Sequence, residues 1–232
     1  MLVFFDIDGT LIDHELAVKK ALHHIFIRFH KEFRLSSYSD FYSLWHKYSE
    51  KCYQLYLAGK LDLNSQRKLR IRLTFNDPFM KDQYVDYISN IFIKNYEESC
   101  TLFPDVKCTL KYLSSKGIRL GIISNGDMEQ QNKKLLKNNI INYFSVKVFS
   151  SDVGCSKPCQ KIFLKALECC RFNDTKHYYI GDDFSTDIEP CLAENIPLIP
   201  VLISRGHKNS HVNHQPMIKS LKQLEQIIYF KN

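Results

Sequence analysis

The chain has 232 residues, of which 44% are hydrophobic and 25% charged, and its formal net charge is +7. This length allows one large domain or a core domain with a smaller insertion, and the composition excludes a disordered or low-complexity chain. The apolar runs Ile118 to Ile123 and Ile196 to Ile203 fall far short of the roughly 20 residues of a bilayer span, and the Lys and Arg residues are mixed with acids, so neither a membrane nor a nucleic-acid polymer is expected as a partner.

The first predicted element is a strand, Leu2-Val3-Phe4-Phe5, which runs into Asp6-Ile7-Asp8-Gly9-Thr10. In extended backbone, residues i and i+2 share a side, so Asp6 and Asp8 face one reaction volume while Ile7 turns into the core. Gly9 allows the chain to turn sharply. With no basic leader and no small-residue cleavage site, the apolar run does not read as a signal peptide, and a cytoplasmic location is expected.

From about Ala17 to Tyr96 the spacing is helical. Leu22, Ile25, Phe26 and Phe29 form one apolar stripe; Phe41, Leu44, Trp45, Tyr48, Cys52 and Leu55 form another. Gly59 and Lys60 break the second helix, Asn64 or Ser65 caps a third, and Asn76-Asp77-Pro78 ends it before a fourth over Lys81 to Tyr96. The aromatics Phe41, Tyr42, Trp45, Tyr53 and Tyr56 could stack a base, although packing is the commoner use of such a stripe.

From Pro104 onward helices and strands alternate. Helices are predicted at Asp105 to Ser115, Met128 to Asn138, Gln160 to Cys170, Asp187 to Glu194 and Ile218 to Tyr229. Strands are predicted at Arg119 to Ile123, Val146 to Phe149, His177 to Ile180 and Leu198 to Ile203. Such alternation gives an α/β fold with a parallel sheet covered by helices, whose ligands bind at the carboxyl ends of the strands.

Chemistry-bearing residues cluster at those ends. Ser124-Asn125-Gly126 offers a hydroxyl and backbone amides ahead of a helix, a combination suited to a phosphate oxygen, though a plain N-cap with a turn glycine would look the same. Lys157, with its backbone restricted by Pro158, can neutralise an anion. Gly181-Asp182-Asp183-Phe184-Ser185-Thr186-Asp187 sets three carboxylates behind an apolar strand, and carboxylates gathered so closely call for a cation such as Mg²⁺. A helix dipole alone would explain Asp187 but not all three.

With these segments in order, DIDGT at 6 to 10, SNG at 124 to 126, KP at 157 to 158 and GDDFSTD at 181 to 187, the chain resembles the haloacid dehalogenase-like hydrolase superfamily. The helical insert resembles the C1 cap of its subfamily I. The resemblance implies a Rossmann-like doubly wound parallel sheet over residues 1–16 and 100–232, with an all-helical cap over 17–99. It implies Asp6 as nucleophile, Asp8 as acid and base, and Ser124, Asn125, Gly126 and Lys157 as the phosphate-binding group. Mg²⁺ would be held by Asp6, the Asp8 carbonyl and Asp182, with Thr10, Asp183 and Asp187 in support.

Asp8 favours phosphoryl transfer over dehalogenation, because a departing alkoxide needs a proton and a halide does not. The implied activity is hydrolysis of a small phosphorylated metabolite, with a nucleoside monophosphate as one choice, by a monomer or homodimer whose cap closes over the leaving group. A sugar phosphomutase and a non-catalytic binding protein of the same fold stay open. The eight cysteines read as free thiols, since Cys155 and Cys159 lack a second pair at zinc-site spacing. His207, His211 and His214 read as a surface loop rather than a metal site.

Overall fold

The computed structural model describes residues 1–35, 37–169, 176–193, 195–206 and 216–229. The chain divides into two compact units, Met1–Asp13 together with Thr101–Asn232, and His14–Cys100.

The first unit is built on one sheet of β1 (Leu2–Phe5), β2 (Arg119–Ser124), β3 (Phe144–Phe149), β4 (His177–Gly181), β5 (Leu198–Ile203) and β6 (Met217–Ile218). The strand order is β3-β2-β1-β4-β5-β6, and every neighbouring pair is parallel. The chain starts in the middle of the sheet and winds outward to both sides, so the strand order reverses at β1 and the crevice for a ligand opens at its carboxyl end. All residues of β1 and β4 are buried, as expected of central strands covered on both faces. The covering helices are α5 (Val106–Ser115), α6 (Met128–Lys137), α7 (Ser150–Val153), α8 (Gln160–Glu168) and α9 (Leu224–Tyr229). The α/β fold with a parallel sheet is therefore the one expected from the alternation, and its double winding the one that the family resemblance implies.

Two expectations within the sheet unit are corrected. Residues Met217–Ile218 pair with Leu202 and Ile203 as a sixth strand, and helix starts only after Ser220. Ser220 sets that start, because its side chain and that of Gln223 form a reciprocal capping box. Residues Phe184–Ile188 make a π-helical turn and Glu189–Leu192 a 3₁₀ turn in place of an α-helix, since Pro190 has no amide to continue the ladder. Glu194, Cys170 and the three histidines at 207, 211 and 214 lie outside the described residues.

The second unit holds four helices, α1 (His14–Phe29), α2 (Tyr38–Leu57), α3 (Leu63–Thr74) and α4 (Asp82–Ser99). Its interior sets a cluster of aromatic rings among aliphatic side chains. Trp45 and Phe92 have ring centroids 4.6 Å apart, Phe41 and Phe75 5.6 Å, and Phe29 and Phe75 6.2 Å. Phe41 and Trp45 are thus packing residues, while Leu44, a residue from Trp45 and so turned off the buried stripe, is exposed. The cap of α3 is Asp62, whose carboxylate accepts from the amides of Asn64 and Ser65. Gly59 ends α2 in left-handed backbone, φ 69°.

Candidate active site

Asp6 follows the central strand directly and is buried, its amide donating to the Ile180 carbonyl at 2.9 Å. The chain then turns tightly, with the Ile7 carbonyl accepting from the amides of Leu11 and Ile12 at 2.9 and 2.8 Å. Gly9 sits in this turn at φ 90°, and a Cβ there would lie 2.3 Å from Asp182 Oδ2. Only a glycine lets the first loop approach the carboxylate that follows β4.

Lys157 crosses to this point from the loop before α8. Its ammonium donates to Asp6 Oδ1 at 2.7 Å, to Asp187 Oδ1 at 2.6 Å and to the Tyr179 hydroxyl at 2.9 Å. The loop is fixed by Asn125, whose Oδ1 accepts from the Lys157 amide at 2.7 Å and whose Nδ2 donates to the Lys157 carbonyl at 3.1 Å. Asn125 thereby joins the end of β2 to the lysine loop through two side-chain contacts, and the Gly126 amide donates to Ser150 Oγ at 2.8 Å. The N-cap of α6 is Asp127, which accepts from the Gln130 amide, rather than Ser124. Ser124 is buried and its hydroxyl makes long contacts of 3.4 Å, donating to the Asn125 carbonyl and accepting from Gln131.

The acids after β4 play three different parts. Asp187 is buried; Oδ1 accepts from Lys157 and from the Tyr179 hydroxyl at 2.7 Å, and Oδ2 accepts from the Asp183 amide at 3.0 Å. Asp183 caps the following turn, accepting from the amides of Ser185 and Thr186 at 3.0 and 3.1 Å. Asp182 faces the first loop at Gly9. Thr10 is buried, its hydroxyl without a partner among the described residues and its carbonyl accepting from Arg205 at 2.8 Å.

Burial pushes the Asp6 carboxyl up to about 6, against the pull of the Lys157 ammonium and helped by the charges of Asp187 and Asp8. Burial also works against the Lys157 ammonium, but Asp187 and Asp6 outweigh it and hold its pKa above the ordinary lysine value. At the strand ends the buried Lys157 ammonium therefore stands among several carboxylates. One oxygen each of Asp6, Asp182 and Asp187 lie within 4.8 Å of one another, a hard-oxygen cluster of a size that fits a small divalent cation such as Mg²⁺.

Two functional neighbours were not read from the sequence. Tyr179 points its hydroxyl from inside β4 into the Lys157–Asp187 pair and donates to the Ile123 carbonyl at 3.2 Å. Lys134 of α6 pairs with Asp8 at 2.8 and 2.7 Å to its two oxygens. An apolar-looking strand hides the first; the helical stripe that puts Gln131 and Lys134 on one face could have revealed the second.

The sequence profile of the haloacid dehalogenase-like hydrolases matches residues 3–201. A glyceraldehyde 3-phosphate phosphatase of Methanothermobacter thermautotrophicus is 32% identical over 54% of this chain and 58% of its own length, less than two thirds of that enzyme. A phosphoglycolate phosphatase of Aquifex aeolicus is 29% identical over 81% of this chain and 78% of its own. The crystal structure of a magnesium-bound HAD-hydrolase, YfnB of Bacillus subtilis, shares the fold with a TM-score of 0.79 at 19% identity, covering 98% of both chains.

Proposed function

The chain belongs to the haloacid dehalogenase-like hydrolase family, and from that premise we propose that it is a phosphatase, a Mg²⁺-dependent phosphomonoester hydrolase acting on a small phosphorylated metabolite. The observation that carries this reading is the buried Asp6 carboxylate, held by Lys157 at 2.7 Å beside the acids that follow β4. Two relatives, named for glyceraldehyde 3-phosphate and phosphoglycolate, support a small phosphomonoester as substrate.

In this reading an Asp6 oxygen attacks phosphorus, the ester P–O bond breaks, and the carboxyl of Asp8 gives its proton to the departing oxygen. Asp8, now ionised, takes a proton from a water that attacks the aspartyl-phosphate, which frees Asp6 and inorganic phosphate. Lys157 offsets the charge of Asp6 and of the transferring group, and Asp187 with Tyr179 holds the lysine in place. The Ser124 hydroxyl, held by long contacts alone, is available to a phosphoryl oxygen, while Asn125 and Gly126 shape the loop around it. Asp187 already accepts three hydrogen bonds, so Asp6, the Asp8 carbonyl and Asp182 are the groups that would hold Mg²⁺, with Asp183 and Thr10 in support. When bound, the ion supplies charge neutralisation of the phosphoryl oxygens.

The test is phosphate release from a panel of glyceraldehyde 3-phosphate, phosphoglycolate, nucleoside monophosphates and sugar phosphates, with and without Mg²⁺. Release that requires Mg²⁺ and disappears in Asp6→Asn is expected, and the preferred ester names the substrate class. Isomerised sugar phosphate without phosphate release would replace this reading with a mutase.

A further inference from the structure

The buried face of α6 is built against the ordinary rule. Its three buried residues are Gln131, Lys134 and Leu135, and the first two are each only 3% exposed. Burying an ammonium costs several kcal/mol before its partner offsets it, and an apolar side chain of similar volume is often at least as stabilising. Gln131 adds a second cost, since its Oε1 is buried with no hydrogen-bond partner among the described residues. A helix that only had to cover the sheet would place apolar residues at both positions.

What the two polar residues have in common is Asp8. Lys134 Nζ donates to both oxygens, at 2.8 Å to Oδ1 and 2.7 Å to Oδ2, and Gln131 Nε2 donates to Oδ2 at 3.0 Å. Gln131 Nε2 also reaches the Asn125 carbonyl at 2.8 Å and Ser124 Oγ at 3.4 Å, so it ties Asp8 to the end of β2. The two residues stand three apart on one helix and grip the carboxylate from one side. The side chain they grip is 25% exposed, whereas Lys134 itself is 3% exposed, so the clamp lies on the protein side of Asp8 and leaves part of the carboxylate to the reaction volume.

We propose that Lys134 and Gln131 are positioning residues that fix the carboxyl group of Asp8 for proton transfer to the leaving oxygen of the substrate. The proposal rests on the phosphatase reading above and assigns a role to two residues outside the four family segments. Proton transfer from a fixed carboxyl requires it to lie within hydrogen-bond reach of one oxygen, and a misplacement of about 1 Å can cost about 10²-fold in rate. The need for that proton depends on the ester. An alkoxide must be protonated as the P–O bond breaks, whereas p-nitrophenolate leaves as a stable anion.

Leaving-group dependence therefore separates positioning from mere support. In single turnover with Mg²⁺, Lys134→Met is expected to slow leaving-group release from an alkyl phosphate such as glycerol phosphate by about 30-fold or more, and from p-nitrophenyl phosphate by less than about 3-fold. Gln131→Leu should show the same bias with a smaller factor. Lys134→Arg, which keeps a donor for both oxygens, should recover most of the alkyl rate, and KM should change little. Equal slowing of both esters, or no recovery by arginine while the circular dichroism spectrum is native, overturns the proposal. Should Lys134→Met not fold, the Gln131→Leu comparison decides in the same way. If the native protein with Mg²⁺ releases neither leaving group, the phosphatase reading fails and this proposal with it; release by the native protein with unbiased variants overturns the positioning role alone.

Discussion

The two units of the molecule bury opposite chemistries. The sheet unit concentrates ionised groups at its strand ends, where Asp6, Lys157 and Asp187 are all buried. The helical unit buries rings, and its ion pairs, such as Lys68 with Asp86 at 2.8 Å and Arg72 with Asp82, involve exposed acids. A buried charge cluster is poor at stabilising a fold and good at setting up a reaction; a ring cluster is the reverse. Damage to the first should fall on activity, and damage to the second on stability.

The largest contrast is expected at Asp6. Asp6→Asn should abolish turnover, by about 10³-fold or more, since in the proposed mechanism the carboxylate is the attacking group. In the metal-free protein it should at the same time raise the melting temperature at neutral pH. The sign follows from the raised pKa: a carboxyl at about 6 in the folded chain against 3.8 unfolded favours folding below the unfolded value and loses that contribution as pH rises through about 6. The melting-temperature advantage of Asp6→Asn should therefore grow between about pH 4 and 6 and level off above. A variant that lost stability along with activity would break the comparison.

The counterpart is Phe41→Ala. Phe41 is buried among Phe26, Trp45 and Phe75, and its truncation should cost about 3–5 kcal/mol. The chain has a single tryptophan, Trp45, in the same cluster, so its fluorescence reports this loss as an earlier melting of the helical unit.

Sheet-unit charges outside the strand-end site sharpen the contrast further. Asp105 accepts two bonds from Arg205 at 2.9 and 2.7 Å and one each from Ser220 and the Leu221 amide, while Arg205 lies over the Phe103 ring. Burial raises the Asp105 pKa, but the hydrogen bonds of Arg205 and Ser220 outweigh it and hold the carboxyl below its ordinary value. Its contribution is thus present above the unfolded pKa and lost as pH falls through the folded one. Arg205→Ala should cost about 3 kcal/mol in urea unfolding at pH 7, and less in acid. The smallest effect belongs to Gly59→Ala. Gly59 shares left-handed backbone with Gly9 but has open space where a Cβ would go, so about 1 kcal/mol of stability and no activity should be lost.

The sheet was legible because each strand is a compact apolar run closed by a turn or an acid, and the alternation with amphipathic helices admits few arrangements. Legibility ended where a local pattern had two readings. Met217–Ile218 is too short to show a period, and only pairing with β5 makes it a strand. Asp62 rather than Asn64 or Ser65 caps α3 because the choice depends on which side chain reaches two amides. The sequence order brought forward Asp6, Asp8, Ser124 and the acids after β4, since each stands where a strand stops, and Lys157 in the loop that follows β3 and α7. Tyr179 stayed hidden inside an apolar strand and Lys134 in a helix rich in lysine, where its spacing from Gln131 is the one hint that sets it apart from Lys133, which pairs with Glu129 along the same helix.

The central claim is that Asp6 becomes covalently phosphorylated. Acid quench of the enzyme during turnover with Mg²⁺, followed by borohydride reduction and peptide mass spectrometry, tests it most directly. The account predicts reduction of Asp6 to homoserine in the peptide that begins the chain, with Asp8 unmodified. Turnover that leaves Asp6 unreduced at every quench time, with inversion rather than retention of configuration at a chiral phosphorus, would contradict it.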